Sequence, residues 1–316
     1  VPPLTVVMST TSVIHANAVP VYADVDRYTF NVDPEDVERK ITKKTKAIQA
    51  VGIYGLPANL PKLREIANKH KVGLIEDNAE CVLSKVRGDK LSGTIGDLSS
   101  YSFENTKHIS CGEGGMLITN NSELAIKARK FAGMGFKNLV AGKSDLVGGV
   151  PLEYQSPIYE RNDAVGLNYR FNEFLGAITL AQFEQVEHFV SIRRKIAKLY
   201  DNVFEGTNFK PQEIPEGYVS SYFTYAVESP FYNTKEWLEF HDNHIKNGGD
   251  DFFASMILGY NEPIMKELGF QEKWKGKCPV AEKIQPCIMQ FKTNYRSLDE
   301  AKSKIELLRD SIAKYN

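Results

Sequence analysis

No two of the four cysteines (Cys81, Cys111, Cys278, Cys287) are spaced as a Cys-x-x-Cys pair. This argues against a structural zinc site and for the reduced thiols of a cytosolic protein. Charge of one sign is missing too. Lys and Arg number 39 and Asp and Glu 40, a net charge of -1, so no field draws the chain to nucleic acid or an anionic membrane. No apolar run approaches the length of a membrane span and no secretory signal is visible, so a cytoplasmic location is expected. Several enzyme motifs also fail. Gly142-Lys143-Ser144 resembles the end of a phosphate-binding P-loop, but the glycine needed five residues earlier is Lys137. Gly112-Glu113-Gly114-Gly115 lacks the third glycine of a dinucleotide fingerprint, and neither His-Glu-x-x-His nor Gly-x-Ser-x-Gly occurs.

What the chain does have is alternation. Its 316 residues suffice for two lobes and a sizeable core, and apolar runs alternate with helix-patterned stretches, which predicts an α/β fold with a largely parallel sheet. Strands are expected at residues 19–25, 45–51, 72–76, 98–103 and 115–119. Asp33-Pro34-Glu35-Asp36 supplies an N-cap, a first-turn proline and early acids for a helix to about Ile41. Further helices are expected at 60–70, from Ser122 to about Phe131, and across 171–200, with a long Gly/Asn/Asp/Pro-rich loop at 134–165. The domain boundary is placed after residue 200. Residues 1–200 form the large domain, and 201–316 a small α+β domain with a strand at 222–227, a helix at 234–247 and a terminal amphipathic helix at 298–315.

Two residues stand out. Asp77 ends the apolar run Val72-Gly73-Leu74-Ile75-Glu76-Asp77, and Lys107 lies thirty residues on, just before Gly112-Glu113-Gly114-Gly115. A carboxylate at the end of a buried strand and a lysine in a tight glycine-flanked loop are what pyridoxal 5'-phosphate chemistry requires. The lysine condenses with the cofactor aldehyde, and the aspartate pairs with the protonated pyridine nitrogen.

In this setting the chain resembles the DegT/DnrJ/EryC1/StrS family, sugar aminotransferases of the aspartate-aminotransferase fold (fold type I). The matching segments are Glu76-Asp77-Asn78-Ala79-Glu80, Gly96-Asp97 through Ser102-Phe103 to Lys107, the glycines 112–115, and Gly166-Leu167-Asn168-Tyr169-Arg170 with the following Gly176-Ala177-Ile178-Thr179-Leu180-Ala181-Gln182-Phe183. Upstream, Pro3-Leu4-Thr5 and the segment from Val19 to Asp26 look like the family's first recognisable strand and the one after it. The likeness runs in order to about Tyr200 and loosens afterwards. The resemblance implies that an N-terminal segment with a phosphate-holding turn precedes the family's Val1 position, so the large domain is taken as N-terminally incomplete.

By resemblance, Lys107 is the catalytic lysine, five residues after Ser102, and the cofactor is held by Lys107, Asp77, Glu80, Ser102 and Asn168. Ser102 would meet the cofactor phosphate, and Asn168 would reach the phosphate of the partner subunit, giving a homodimer with shared sites. Tyr54 and Arg170 are substrate candidates; no metal is expected. The implied activity moves an amino group, most plausibly from L-glutamate, to a nucleotide-linked keto sugar for surface-polysaccharide or secondary-metabolite amino sugars. Two alternatives stand beside it: a sugar dehydratase of the same family, in which a histidine replaces the lysine (His108 adjoins Lys107), and a cofactor-free scaffold subunit. Departures occur as well. Val6 stands where relatives carry a ring-stacking aromatic residue, and Phe252-Phe253-Ala254 and Gln290 to Tyr295 depart from the family's C-terminal pattern, where substrate choice is shaped.

Overall fold

The computed structural model describes residues 1–141 and 156–315. The first part runs α1 (Met8–His15), α2 (Pro34–Lys40), β1 (Ala47–Val51), α3 (Leu60–His70), β2 (Gly73–Asp77), then the short β3 (Lys85–Val86) and β4 (Lys90–Leu91). It continues through β5 (Leu98–Ser102), β6 (Gly115–Ile118), α4 (Ser122–Ala132), α5 (Glu173–Phe183) and α6 (Val186–Phe204). The remainder comprises β7 (Lys210–Pro211), β8 (Tyr225–Glu228), α7 (Thr234–Lys246), β9 (Phe253–Ala254), α8 (Pro263–Glu267), α9 (Phe270–Trp274), α10 (Pro279–Ile284), β10 (Ile288–Phe291) and α11 (Leu298–Ile312).

The sheet that carries the site has the order β1-β2-β5-β6. β2 lies parallel to both β1 and β5, with Asp77 opposite Val51 and Ser100, and β6 closes the row antiparallel. The expected α/β class with a mostly parallel sheet is therefore the observed one. α3 shows how local chemistry builds this layer. Asn59 caps its first turn by accepting the Lys62 N–H at 3.2 Å, Pro61 presets that turn, and Lys71 ends the helix in a left-handed conformation. Leu63, Ile66 and Ala67 are buried beside Ile48, Ala50 and Leu74 of β1 and β2. Burial of each large aliphatic chain stabilises by about 1.5–3 kcal/mol, more than intrinsic propensity can supply for an eleven-residue helix.

The second sheet, β7-β8-β10-β9, is antiparallel throughout. β8 and β10 pack between α6, α7 and α11 around Tyr200, Phe204, Tyr225, Phe240, Phe252 and Phe291. The helical stretch expected at 171–200 is two helices, parted at Glu184 and Gln185. The second runs on to Phe204, so residue 200 falls within α6, and Ile196 to Phe204 pack in the core of the C-terminal sheet. Another cluster joins Leu4, Tyr22, Phe30 and Tyr54 to Leu258, Tyr260, Trp274 and Ile288, so the two ends of the chain share one core.

Two expected strands are absent among the described residues. At 19–25 the backbone makes only a single bridge, Val25 to Val32. Pro20 has no N–H to give, and the Asp24 N–H is taken by the Asp36 carboxylate rather than by a neighbouring strand. The Asp24 carboxylate in turn accepts the N–H groups of Val280 and Ala281 at the start of α10, each at 2.9 Å. Pro3-Leu4-Thr5 is a bend whose Pro3 carbonyl accepts the Gly259 N–H at 2.8 Å, and it leads into α1. That helix, Met-Ser-Thr-Thr-Ser-Val-Ile-His, is rich in Ser and β-branched residues and shows no apolar stripe, so periodicity could not announce it. Of the loop expected at 134–165, residues 142–155, with Gly142, Lys143 and Ser144, lie outside the described residues.

Candidate active site

β2 and β5 deliver their carboxyl ends side by side, the place where ligands of parallel sheets bind. Successive side chains of β2 face opposite ways, and this separates two adjacent acids. Glu76 is buried and accepts the N–H of Ile95 at 2.8 Å together with those of Gly93 and Gly96, so it holds the loop before β5. Asp77 faces the other side. Its carboxylate accepts the Ala79 N–H at 3.2 Å and the Ser9 hydroxyl at 3.1 Å. Among the described residues no cation lies within ion-pair distance of it. Burial pushes the Asp77 carboxyl above its ordinary range, an effect opposed by those two donors and the more distant Lys107.

Lys107 comes from the turn after β5, where its N–H bonds the Glu104 carbonyl at 3.1 Å. Its ammonium lies 3.6 Å from the Glu80 carboxylate, both side chains only 13% exposed. Glu80 also accepts the Tyr54 N–H at 2.8 Å. Burial pushes the Glu80 carboxyl up and Lys107 opposes the rise. Tyr54 sits in a left-handed conformation (φ 60°) at the end of β1, and its hydroxyl pairs with that of Ser255 at 3.0 Å. Thr5, Val6, Tyr54, Glu80, Lys107 and Phe223 wall a cavity of about 130 Å³, closed from the C-terminal side by Ser255, Met256 and Gln290.

The expected site residues are thus distributed unevenly. Tyr54, Glu80 and Lys107 meet at the cavity, with Asp77 adjoining them through its electrostatic contact with Lys107 and Glu80. Ser102 is half-buried at the end of β5, and its hydroxyl accepts the Glu104 N–H at 3.3 Å. Asn168 and Arg170 are exposed and paired with each other, the Arg170 Nε donating to the Asn168 side chain at 2.9 Å, away from the residues that wall the cavity. His108, next to Lys107 in the chain, turns into the core. Its Nε2 donates to the Ser221 carbonyl at 3.2 Å, and burial lowers its pKa to about 3. Ser9, Phe223, Ser255, Met256 and Gln290 were not among the residues singled out for the site. Ser9 lies in the unannounced α1, and Phe223 lies in a run, Tyr222-Phe223-Thr224-Tyr225-Ala226-Val227, that reads as strand alone.

The residues fit pyridoxal phosphate: at the end of β2 a carboxylate with no ion-pair partner among the described residues, and near it, in the turn after the neighbouring β5, an amine on the cavity. Comparison with known proteins agrees. The model of the DegT/DnrJ/EryC1/StrS aminotransferase family matches residues 1–304. The GDP-perosamine synthase of Escherichia coli O157:H7 is 33% identical over 284 residues, 90% of this chain and 70% of that protein. The L-glutamine:2-deoxy-scyllo-inosose aminotransferase of Streptoalloteichus tenebrarius is 31% identical over 271 residues, 85% of this chain, which spans only 57% of that relative's length. An aminotransferase from Psychrobacter cryohalolentis, at 23% identity, superposes with a TM-score of 0.85 over all of this chain and 81% of its own, a likeness of fold. The cofactor of this family is pyridoxal 5'-phosphate. The chain belongs to the DegT/DnrJ/EryC1/StrS aminotransferase family.

Proposed function

We propose that this protein transfers an amino group from an amino acid, L-glutamate first among donors, to a nucleotide-linked keto sugar, in the cytoplasm and as a homodimer. The observation that carries the reading is Lys107 on the cavity, in the turn after β5, with Asp77 close by at the end of the neighbouring β2. Bound pyridoxal phosphate supplies an aldehyde for amines and a ring that accepts electrons from a breaking C–H bond. Asp77 would meet the ring nitrogen, and its two hydrogen bonds fix the direction of the carboxylate. Lys107, an amine able to accept and return a proton, would serve as general base and acid for the proton on the donor's α-carbon. Glu80 stands beside that amine at 3.6 Å.

Ser102 is proposed as a phosphate ligand and Tyr54 as a wall of the sugar site. Asn168 and Arg170 are proposed to serve the partner subunit's site. Their exposure supports this, as does the run of uncovered apolar side chains around them, Leu167, Tyr169, Phe171, Phe174 and Ile178. The dehydratase alternative is disfavoured because Lys107 faces the cavity while His108 is buried behind it. The scaffold alternative is disfavoured because the buried carboxylate and the amine are both in place.

The test is direct. Protein incubated with pyridoxal phosphate and reduced with borohydride should carry the adduct on Lys107 when its peptides are mapped. L-Glutamate and L-glutamine, each added alone before reduction, should separate the donors by how completely they protect Lys107. An adduct on another lysine would sink the assignment.

A further inference from the structure

Lys107 ends in a flexible four-carbon stem, and two side chains flank its ammonium. The Glu80 carboxylate at 3.6 Å accounts for only one side of it. On another side lies the face of Phe223, with the Lys107 Nζ 4.5 Å from the ring centroid. A cation this close to a partly desolvated ring is attracted to the negative face of its quadrupole. Phe223 is contributed from beyond α6, and its own position is tightly determined. Arg193 of α6 donates to the Phe223 carbonyl at 2.9 Å, and the Thr293 hydroxyl donates to the Tyr222 carbonyl at 2.7 Å. The Ser221 N–H reaches the Gly55 carbonyl at 2.9 Å, and the Ser221 hydroxyl reaches the Glu80 carbonyl at 3.1 Å. Tyr222 adopts a left-handed φ of 49° to make this bend. The ring's far contact is with His108, centroids 5.8 Å apart, and His108 donates to the Ser221 carbonyl at 3.2 Å. One short segment, residues 220–223, is therefore tied to the Glu80 backbone and the Lys107 loop at once, and presents a ring between them.

We infer that Phe223 is a positioning residue for Lys107: its ring face holds the amine beside Glu80 whenever the lysine is not bonded to cofactor. This rests on the reading of Lys107 as the reactive lysine, since only then does the resting place of its amine matter for turnover. A bare aliphatic group of similar size would fill the space without holding the charge.

Phe223 is only half-buried, so Phe223→Leu is a mild change, and Phe223→Tyr keeps the ring. In cofactor-free protein methylated reductively with ¹³C-formaldehyde, the Lys107 methyl resonance (identified by its loss in Lys107→Arg) should lie upfield of the other lysines because of the ring current. Phe223→Leu should return it to the bulk position, and Phe223→Tyr should leave it displaced. In cofactor-loaded protein, a single-turnover half-reaction with the amino donor should slow about fivefold in Phe223→Leu, equivalent to about 1 kcal/mol. The donor concentration giving half-maximal rate should hold constant, and Phe223→Tyr should recover the rate. An unshifted Lys107 resonance in the parent protein, or an unaltered rate in Phe223→Leu, overturns the role of Phe223 while leaving borohydride mapping to Lys107 intact. Mapping to another lysine overturns the functional reading itself.

Discussion

Asp77, proposed as the partner of the cofactor's ring nitrogen, shows what such a placement costs the protein that carries it. Its side chain is half-buried, with two hydrogen-bond donors and no paired cation among the described residues, and burial raises its pKa. A carboxyl whose folded pKa exceeds its unfolded value adds stability below the unfolded value, and that stability is lost as pH rises through the folded one. The cofactor-free protein therefore loses stability through this carboxyl as pH rises from acid. Asp77→Asn should hold or raise the unfolding midpoint of cofactor-free protein near pH 7, and should flatten the decline in stability as pH rises above about 4. The same variant should lose roughly 10²-fold or more in turnover, the scale expected on removing a preorganised electrostatic contact. Denaturation at several pH values beside steady-state rates would check both halves. Near-normal turnover would make Asp77 a structural residue.

At the scale of elements, the site depends on how closely two loops approach. β1 runs out into Tyr54 and Gly55, and the segment before β8 lies directly on that turn. Gly55 has φ +101°, and a Cβ there would stand 2.4 Å from the Tyr222 nitrogen and 2.6 Å from that of Phe223. Both offending atoms are backbone, so neither can step aside without moving the whole segment. Gly55→Ala should cost about 1–3 kcal/mol in backbone strain alone. It should also push Phe223 off Lys107, so the displaced Lys107 methyl resonance should shift toward bulk while that of a lysine elsewhere stays put. Denaturant titration and the methyl spectrum would measure the two effects. A variant as stable as its parent would show that the turn can relax.

For the whole molecule, the proposal concerns the surface around Asn168. Within this chain the Asn168 backbone bridges to Gly133 and its side chain accepts from Arg170, and the neighbouring α5 turns Phe174 to solvent at 85% exposure. A carboxylate at position 168 would face the cofactor phosphate of a partner, so Asn168→Asp should bind pyridoxal phosphate weakly. Mixed with Lys107→Ala, it should regain roughly a quarter of parental activity, because half of randomly exchanged dimers are heterodimers with one intact site each. Activity measured after verified subunit exchange is the check. Absence of complementation, or a fully active monomer, would rule out the shared site.

The sequence alone determined what depends on short range. The pattern of α3, with its capping Asn59 and Pro61, was legible because capping and amphipathic spacing act within a few residues. The strand that ends at Asp77 and the turn that carries Lys107 were legible because an apolar run and a glycine-flanked loop are local patterns. Tertiary structure alone decided the rest. It left residues 19–25 out of the sheet because the Asp36 and Asp24 carboxylates claim or supply hydrogen bonds across distant elements. It buried His108 and left Lys107 facing the cavity, although they are neighbours in the chain. It brought Phe223, Ser255 and Met256 to the cavity from the C-terminal half, where no local pattern marks them. Their places follow from which core surfaces meet when the ends of the chain pack together, and that information is in no single stretch of residues.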